Sequence, residues 1–171
     1  MPNPSFHKIL LEKFTFQPTA SQAKGFEKIA DFLSDTSNHS LMLIKGYAGT
    51  GKTTLIGHLV NQLSLIQKKS VLMAPTGRAA KVLSAYSGKN AFTIHKKIYF
   101  PKADRGGAGV KFSLKENKHT HTLFIVDESS MIGDARQHSK LFENGSLLHD
   151  LVHYVTNGEN CQLIFVGDTA Q

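Results

Sequence analysis

Gly46-Tyr47-Ala48-Gly49-Thr50-Gly51-Lys52-Thr53 matches the pattern G-x-x-x-x-G-K-[ST] at every fixed position. In such a loop the glycines let the backbone turn sharply enough for successive N–H groups to point inward at phosphate oxygens. Lys52 adds a point charge, and Thr53 offers a hydroxyl suited to Mg²⁺. The flanks supply the context that this chemistry needs. Leu41-Met42-Leu43-Ile44 is a short apolar run, as expected of a strand buried on both faces, and Leu55, Ile56, Leu59, Val60 and Leu63 recur at helical spacing just after the loop. Strand, glycine loop and helix N-terminus in that order form an anion site, whereas a chance glycine-rich turn would lack these neighbours.

Working upstream, Ala23, Phe26, Ile29, Ala30 and Leu33 form an apolar stripe at helical spacing. Thr19, with Gln22 three residues on, marks its start as a capping box. Residues 1–18 place Pro2, Pro4 and Pro18 around Phe6, Ile9, Leu10, Leu11, Phe14 and Phe16 without a clear period, so they read as a lead-in packed on the domain, with no chemistry assigned. Downstream, residues 70–74 read as a second strand ended by Pro75. Thr76 then caps a helix over residues 77–86, with Gly88 as its stop. Arg78 and Lys81 stand near a helix N-terminus, which disfavours cations by a few tenths of a kcal/mol, roughly, so an anion neighbour would account for them. A solvated face is the other reading of Lys81.

Residues 96–120 change texture. Two short apolar-polar runs, residues 98–100 and 110–114, surround a glycine-rich turn, which predicts a basic β-hairpin leaving the main sheet; a surface loop without fixed structure is the alternative. Thr122–Val126 is a further buried-strand run, and it delivers Asp127-Glu128-Ser129-Ser130 at its C-terminal end. Residues 134–142 and 147–155 are helical in pattern, the second capped by Ser146. Residues 162–166 form a last strand leading into Gly167-Asp168-Thr169-Ala170-Gln171. Strands alternating with helices predict one α/β domain over residues 1–171 with a mostly parallel sheet, whose C-terminal strand edge is where ligands bind.

At 171 residues, with 40% hydrophobic and 19% charged residues, the chain suits a globular domain with a sizeable core. No apolar run approaches the roughly 18 residues of a membrane span, and residues 9–11 are too short for a signal peptide, so a membrane protein and an exported one are not expected. The single cysteine, Cys161, excludes an internal disulfide and a cysteine-based zinc cluster. It reads as a small core or strand-edge residue in a reducing, cytoplasmic protein. A net charge of +7 with nine neutral histidines favours polyanionic partners, though many basic proteins bind nucleic acid only nonspecifically.

Phosphate loop and acidic pair complement one another: Lys52 and the loop backbone hold phosphates, and Thr53 with Asp127 holds Mg²⁺. Glu128 is left to orient or deprotonate a water, which makes hydrolysis a better expectation than transfer to an alcohol. The plainer readings are a helix N-cap for Asp127 and a structural carboxylate for Glu128.

With Gln22, GYAGTGKTT, APTGRAA, Thr93-Ile94-His95, DESSM and GDTAQ in this order, the chain resembles the N-terminal RecA-like motor domain of superfamily 1 DNA helicases, in the RecD-like and Dda-like branch, from about Thr19 to Gln171. The first motif alone specifies only nucleotide binding; APTGRAA, DESSM and GDTAQ together are far more specific. The resemblance implies ATP held by Gly46, Ala48, Gly49, Thr50, Gly51, Lys52, Thr53 and Thr54, with Gln22 contacting adenine beside its capping role. It gives Lys52, Glu128 and the phosphate-sensing Gln171 to catalysis. It implies that Pro75, Thr76, Arg78, Thr93 and His95 line a groove for the backbone of single-stranded DNA, although Thr76 as a simple N-cap and His95 as a satisfied buried histidine remain open. Residues 96–120 fall where these helicases place a wedge that meets the duplex, so Tyr99, Phe100 and Phe112 either stack on bases or pack the hairpin.

A motor of this kind has a second RecA-like domain that supplies arginines to the ATP cleft, and no such domain is found in these 171 residues. Arginines of that sort are worth roughly 10³ to 10⁵ in rate, so the chain is expected to bind nucleotide far better than it hydrolyses it, as half of a 5′-to-3′ helicase. Two other readings stand beside it. A P-loop kinase would need an acceptor pocket and an arginine-bearing lid, and would phosphorylate a small molecule rather than release phosphate. A non-enzymatic nucleotide or DNA-binding module would bind ATP without DNA ever stimulating hydrolysis.

Overall fold

The computed structural model describes residues 4–35, 41–103, 110–133 and 146–168. In chain order the elements are α1 (Pro4–Glu12), α2 (Ala20–Ser34), β1 (Leu41–Gly46), α3 (Lys52–Gln62), β2 (Lys69–Ala74), α4 (Gly77–Ser87), β3 (Ala91–Thr93), α5 (Ile94–Ile98), β4 (Tyr99–Ala103), β5 (Val110–Leu114), β6 (Thr122–Val126), α6 (Leu147–Thr156) and β7 (Gln162–Asp168). Short 3₁₀ turns follow α3 (Leu63–Ile66) and β6 (Ser129–Met131). Five strands pair in the order β1-β7-β6-β2-β3, every pair parallel, while β4 and β5 form a separate antiparallel hairpin. The expected α/β architecture with a parallel sheet is therefore present, and so is the antiparallel β4–β5 pair expected of the hairpin; residues 104–109 lie outside the described residues.

Alternation along the strands builds the two cores. Leu123 and Ile125 of β6, with Ile164 and Val166 of β7, face one side, where Phe26, Ile29, Ile56, Leu59 and Leu83 of α2, α3 and α4 cover them. Phe124 and Val126, with Leu163 and Phe165, face the other side against Ile94, Ile98, Leu151 and Tyr154 of α5 and α6. Apolar residues on both faces of one strand are what a parallel sheet between two helical layers requires. Cys161 is buried within this second core, and burial pushes its thiol pKa up, as suits a packing residue.

Two expectations need correction. The lead-in contains a helix: α1 buries Phe6 and Leu10, four residues apart, against the first core. Two anchors are too few to display a period, and a proline is tolerated at the first helical position, where its missing N–H would have had no partner. The second correction concerns β1, which is not buried on both faces. Its residues alternate between exposed and half-buried, and Leu41 and Leu43 are 49% and 50% exposed. Among the described residues β1 pairs only with β7, so it forms a sheet edge, and an apolar run by itself does not reveal which strand is outermost. The helix expected over residues 134–142 lies outside the described residues.

Caps fall where they were expected. Thr19 and Gln22 form the complete capping box of α2, Thr76 accepts from Ala79 N (3.2 Å), Ser146 accepts from His149 N (3.3 Å), and Gly88 ends α4 at φ 67°. Beneath α1, His58 Nε2 donates to the Leu10 carbonyl (2.9 Å), and its ring lies edge-on to Phe14 and Phe26. Burial lowers the His58 pKa, with the carbonyl bond opposing it. The unfolded chain therefore takes up the proton first as pH falls, so this stability is complete above the ordinary histidine value of about 6.5 and is lost below it. Thermal unfolding should show a lower midpoint at about pH 5.5 than at about pH 7.5, and His58→Gln, which does not titrate, should remove part of that drop.

Candidate functional site

Strands β1, β7, β6, β2 and β3 run parallel, so their C-terminal ends share one edge. The glycine loop leaves β1 there. Gly49 and Gly51 take φ of 77° and 82°, a region that a side chain at Cβ disfavours, and Gly51 stands at the N-cap of α3 without a capping side chain. The first helical bond runs from Leu55 N to Gly51 O (2.9 Å), so the N–H groups of the turn before it have no carbonyl behind them in the helix and open toward the loop. Ala48, Gly49 and Thr50 are exposed, whereas Lys52, Thr53 and Thr54 are half-buried on the helix side.

Gln22 reaches this loop from α2. Its Oε1 accepts from Thr19 N (3.0 Å) in the capping box, and its Nε2 donates to the Thr50 carbonyl (3.2 Å). The same Nε2 lies 3.0 Å from where a Cβ on Gly51 would sit. One side chain thus ends a helix and braces the loop.

The acidic pair comes in from β6. Asp127 N donates to Met73 O (3.0 Å), extending the β6–β2 ladder by one residue and fixing the carboxylate at the strand end. Asp127 is buried. Its Oδ2 accepts from the Thr53 hydroxyl (3.4 Å) and its Oδ1 from Glu128 N (3.0 Å). Burial raises its pKa, while those two bonds and the Lys52 charge hold it down. Thr53 and Asp127 therefore present two hard oxygens at nearly the spacing of adjacent ligands around Mg²⁺, about 3 Å in an octahedral shell. Glu128 is half-buried with φ 54°, an uncommon left-handed conformation for a glutamate, and it opens the 3₁₀ turn Ser129–Met131. Burial, followed by the charges of Asp127 and Asp168, raises its pKa, which makes the carboxylate a better proton acceptor.

Pro75, Thr76 and Arg78 begin α4 after β2, and Thr93 and His95 begin α5 after β3. Ala74 is in register with Thr93, so both groups meet on the same edge as the loop. At about 4.8 Å per strand they stand roughly 14–19 Å from β1. Arg78 and His95 are exposed. Thr76 and Thr93 both act as N-caps, the latter accepting from Lys96 N (3.2 Å), so the capping alternative holds for Thr76 without consuming all of its hydroxyl's capacity. Gln171 lies outside the described residues.

The model of the AAA domain matches residues 30–171. The chain belongs to the AAA domain family. Over 145 residues, 85% of this chain and 18% of the relative, it is 31% identical to the ATP-dependent RecD2 DNA helicase of Deinococcus radiodurans. Over 78 residues, 45% of this chain and 17% of the relative, it is 40% identical to the ATP-dependent DNA helicase dda of Enterobacteria phage T4. The chain thus spans less than a fifth of the length of these curated relatives. Both likenesses accord with the superfamily 1 motor-domain resemblance carried by the motifs.

Two residues of this AAA domain escaped the sequence reading. Asp168 receives the Lys52 ammonium, although GDTAQ drew attention to Gln171 alone. Gly167 sits where a Cβ would lie 2.8 Å from Ser129 Oγ and 3.2 Å from Ser130 N, so its lack of a side chain lets the turn after Glu128 close against β7. Only the motif's leading glycine hinted at this. Among the described residues no helix is long and apolar enough to cross a membrane. Gly167→Ala should push that turn away and cost about 1–3 kcal/mol in denaturant unfolding. Gly133→Ala, whose Cβ would meet nothing within 4 Å, should stay within about 0.5 kcal/mol.

Proposed function

We propose that this chain is the ATP-binding half of an ATP-dependent DNA helicase that moves 5′-to-3′ on single-stranded DNA. The observation that carries the reading is the convergence, on one edge of a parallel sheet, of a glycine loop with Lys52 and the Thr53–Asp127 oxygen pair, with Glu128 beside them. The loop N–H groups and Lys52 bind and orient the β- and γ-phosphates, and Gln22, which braces the loop through the Thr50 carbonyl, is assigned to contacting adenine. Thr53 and Asp127 are the residues that would hold Mg²⁺, which when bound neutralises phosphate charge. Glu128, with its raised pKa, accepts a proton from the attacking water. Gln171, three residues beyond β7, is assigned to sensing the terminal phosphate.

Along the same edge, Pro75, Thr76, Arg78, Thr93 and His95 form the backbone groove for single-stranded DNA. Only β6 and β7 stand between β2 and the glycine loop's strand, so nucleotide and DNA share one rigid sheet. The β4–β5 hairpin serves as the wedge. Tyr99 anchors it by donating from its hydroxyl to the buried Asp150 (2.6 Å), and Phe112 is half-buried against the second core, which leaves Phe100, 40% exposed, as the aromatic offered to a base. A second RecA-like domain completes the cleft and supplies the arginines. A reducing cytoplasm suits the single buried thiol.

A fluorescent ATP analogue should bind saturably and with Mg²⁺ dependence, and Lys52→Ala should abolish or severely weaken that binding; an unchanged titration would remove the nucleotide assignment. For DNA, affinity should fall steeply between about 50 and 200 mM salt. Arg78→Ala should weaken binding to all sequences alike and lower the salt slope by about one. Inorganic phosphate release without phosphorylation of any small molecule separates hydrolysis from a kinase.

A further inference from the structure

An ammonium has three N–H donors, and those of Lys52 are all spent within the protein. Two go to carbonyls of the loop itself, Gly46 O and Tyr47 O, both at 2.8 Å, and the third goes to the carboxylate of Asp168. The pair is shielded from water, with side-chain exposures of 14% and 13%. The lysine that is to meet phosphate therefore has no donor to offer until one of these bonds is given up. The carbonyls are neutral and belong to the loop that folds around the ligand. Asp168 carries a full negative charge on the neighbouring strand, so an incoming phosphate oxygen replaces it like for like.

We propose that Asp168 is a positioning residue that holds Lys52 in the cradle and competes with the terminal phosphates of ATP for its ammonium. This inference rests on the ATP reading above. The register sets up the contact: β1 and β7 are paired with Gly46 opposite Asp168, so the carboxylate arrives at the point where the glycine loop begins. Once Lys52 turns to phosphate, Asp168 is left partly buried and close enough to Asp127 and Glu128 for its charge to act on both. The exchange is thus uphill for a nucleotide arriving without positive charge and eased for one accompanied by a divalent cation. Asp168 acts in this way as a gate that favours the metal-bound nucleotide.

The test compares wild type with Asp168→Asn, which keeps the shape and removes the charge, and with Asp168→Glu, which keeps the charge. Thermal unfolding checks that each is folded, and Asp168→Ser stands in if the asparagine variant is not. Equilibrium titration with the fluorescent ATP analogue should show Asp168→Asn binding about three- to ten-fold tighter than wild type, with Asp168→Glu near wild type. The gain should be larger with EDTA than with Mg²⁺. In the absence of nucleotide, an amine-selective reagent read by mass spectrometry should label Lys52 several-fold faster in Asp168→Asn than in wild type, with Lys45 as the unaffected internal standard. A folded neutral variant with equal or weaker ATP affinity, or with unchanged Lys52 labelling, overturns the proposal while leaving the ATP reading intact. If wild type fails to bind ATP, the ATP reading fails, and with it the competition; the labelling then reports only whether Asp168 shields Lys52.

Discussion

Two parallel strands cannot be joined by a tight turn; each must be reached by a crossover, and all strands of one sense therefore deliver their C-terminal residues to the same edge. Here β7 lies between β1 and β6, with Gly46 opposite Asp168 and Val126 opposite Phe165. That register brings a glycine loop, a buried aspartate and a strand-end carboxylate from three separated parts of the chain into one cluster. The helical layers on either face hold the sheet rigid, and the absence of a side chain at Gly167 lets the turn after Glu128 close the cluster from the side.

Electrostatics then follows from crowding. Asp127, Glu128 and Asp168 share one ammonium, Lys52, and the first two are pushed toward protonation chiefly by loss of water and then by their acidic neighbours. Keeping crowded, partly buried carboxylates ionised is costly, and the Lys52 charge offsets part of that cost for both Asp127 and Glu128. The left-handed Glu128 belongs to the same picture: a strained backbone position persists where the surrounding packing over-determines it.

Much of this was legible in the residues. The glycine loop, Thr76 and Ser146 as caps, Gly88 as a stop, the capping box at Thr19 and the hairpin are all local, and each depends on side chains within a few positions of one another. What was misread depended on neighbours far away in sequence. The four apolar residues Leu41-Met42-Leu43-Ile44 look the same whether the strand is central or at an edge, and only pairing order distinguishes them. The helix Pro4–Glu12 is held by Phe6 and Leu10 against a core assembled from later elements, so its short stretch showed no convincing period of its own.

By itself the sequence determined that a phosphate-binding loop sits between a strand and a helix in an alternating α/β chain, and that an acidic pair ends a later strand. Those are matters of local spacing, where backbone conformation and side-chain chemistry are decided within one or two turns. Only the tertiary structure decided that Lys52 is bound to Asp168, 116 residues away, and that Gln22 braces the loop as well as capping its own helix. Register between strands is a long-range pairing, and no local pattern states which residue will stand opposite which.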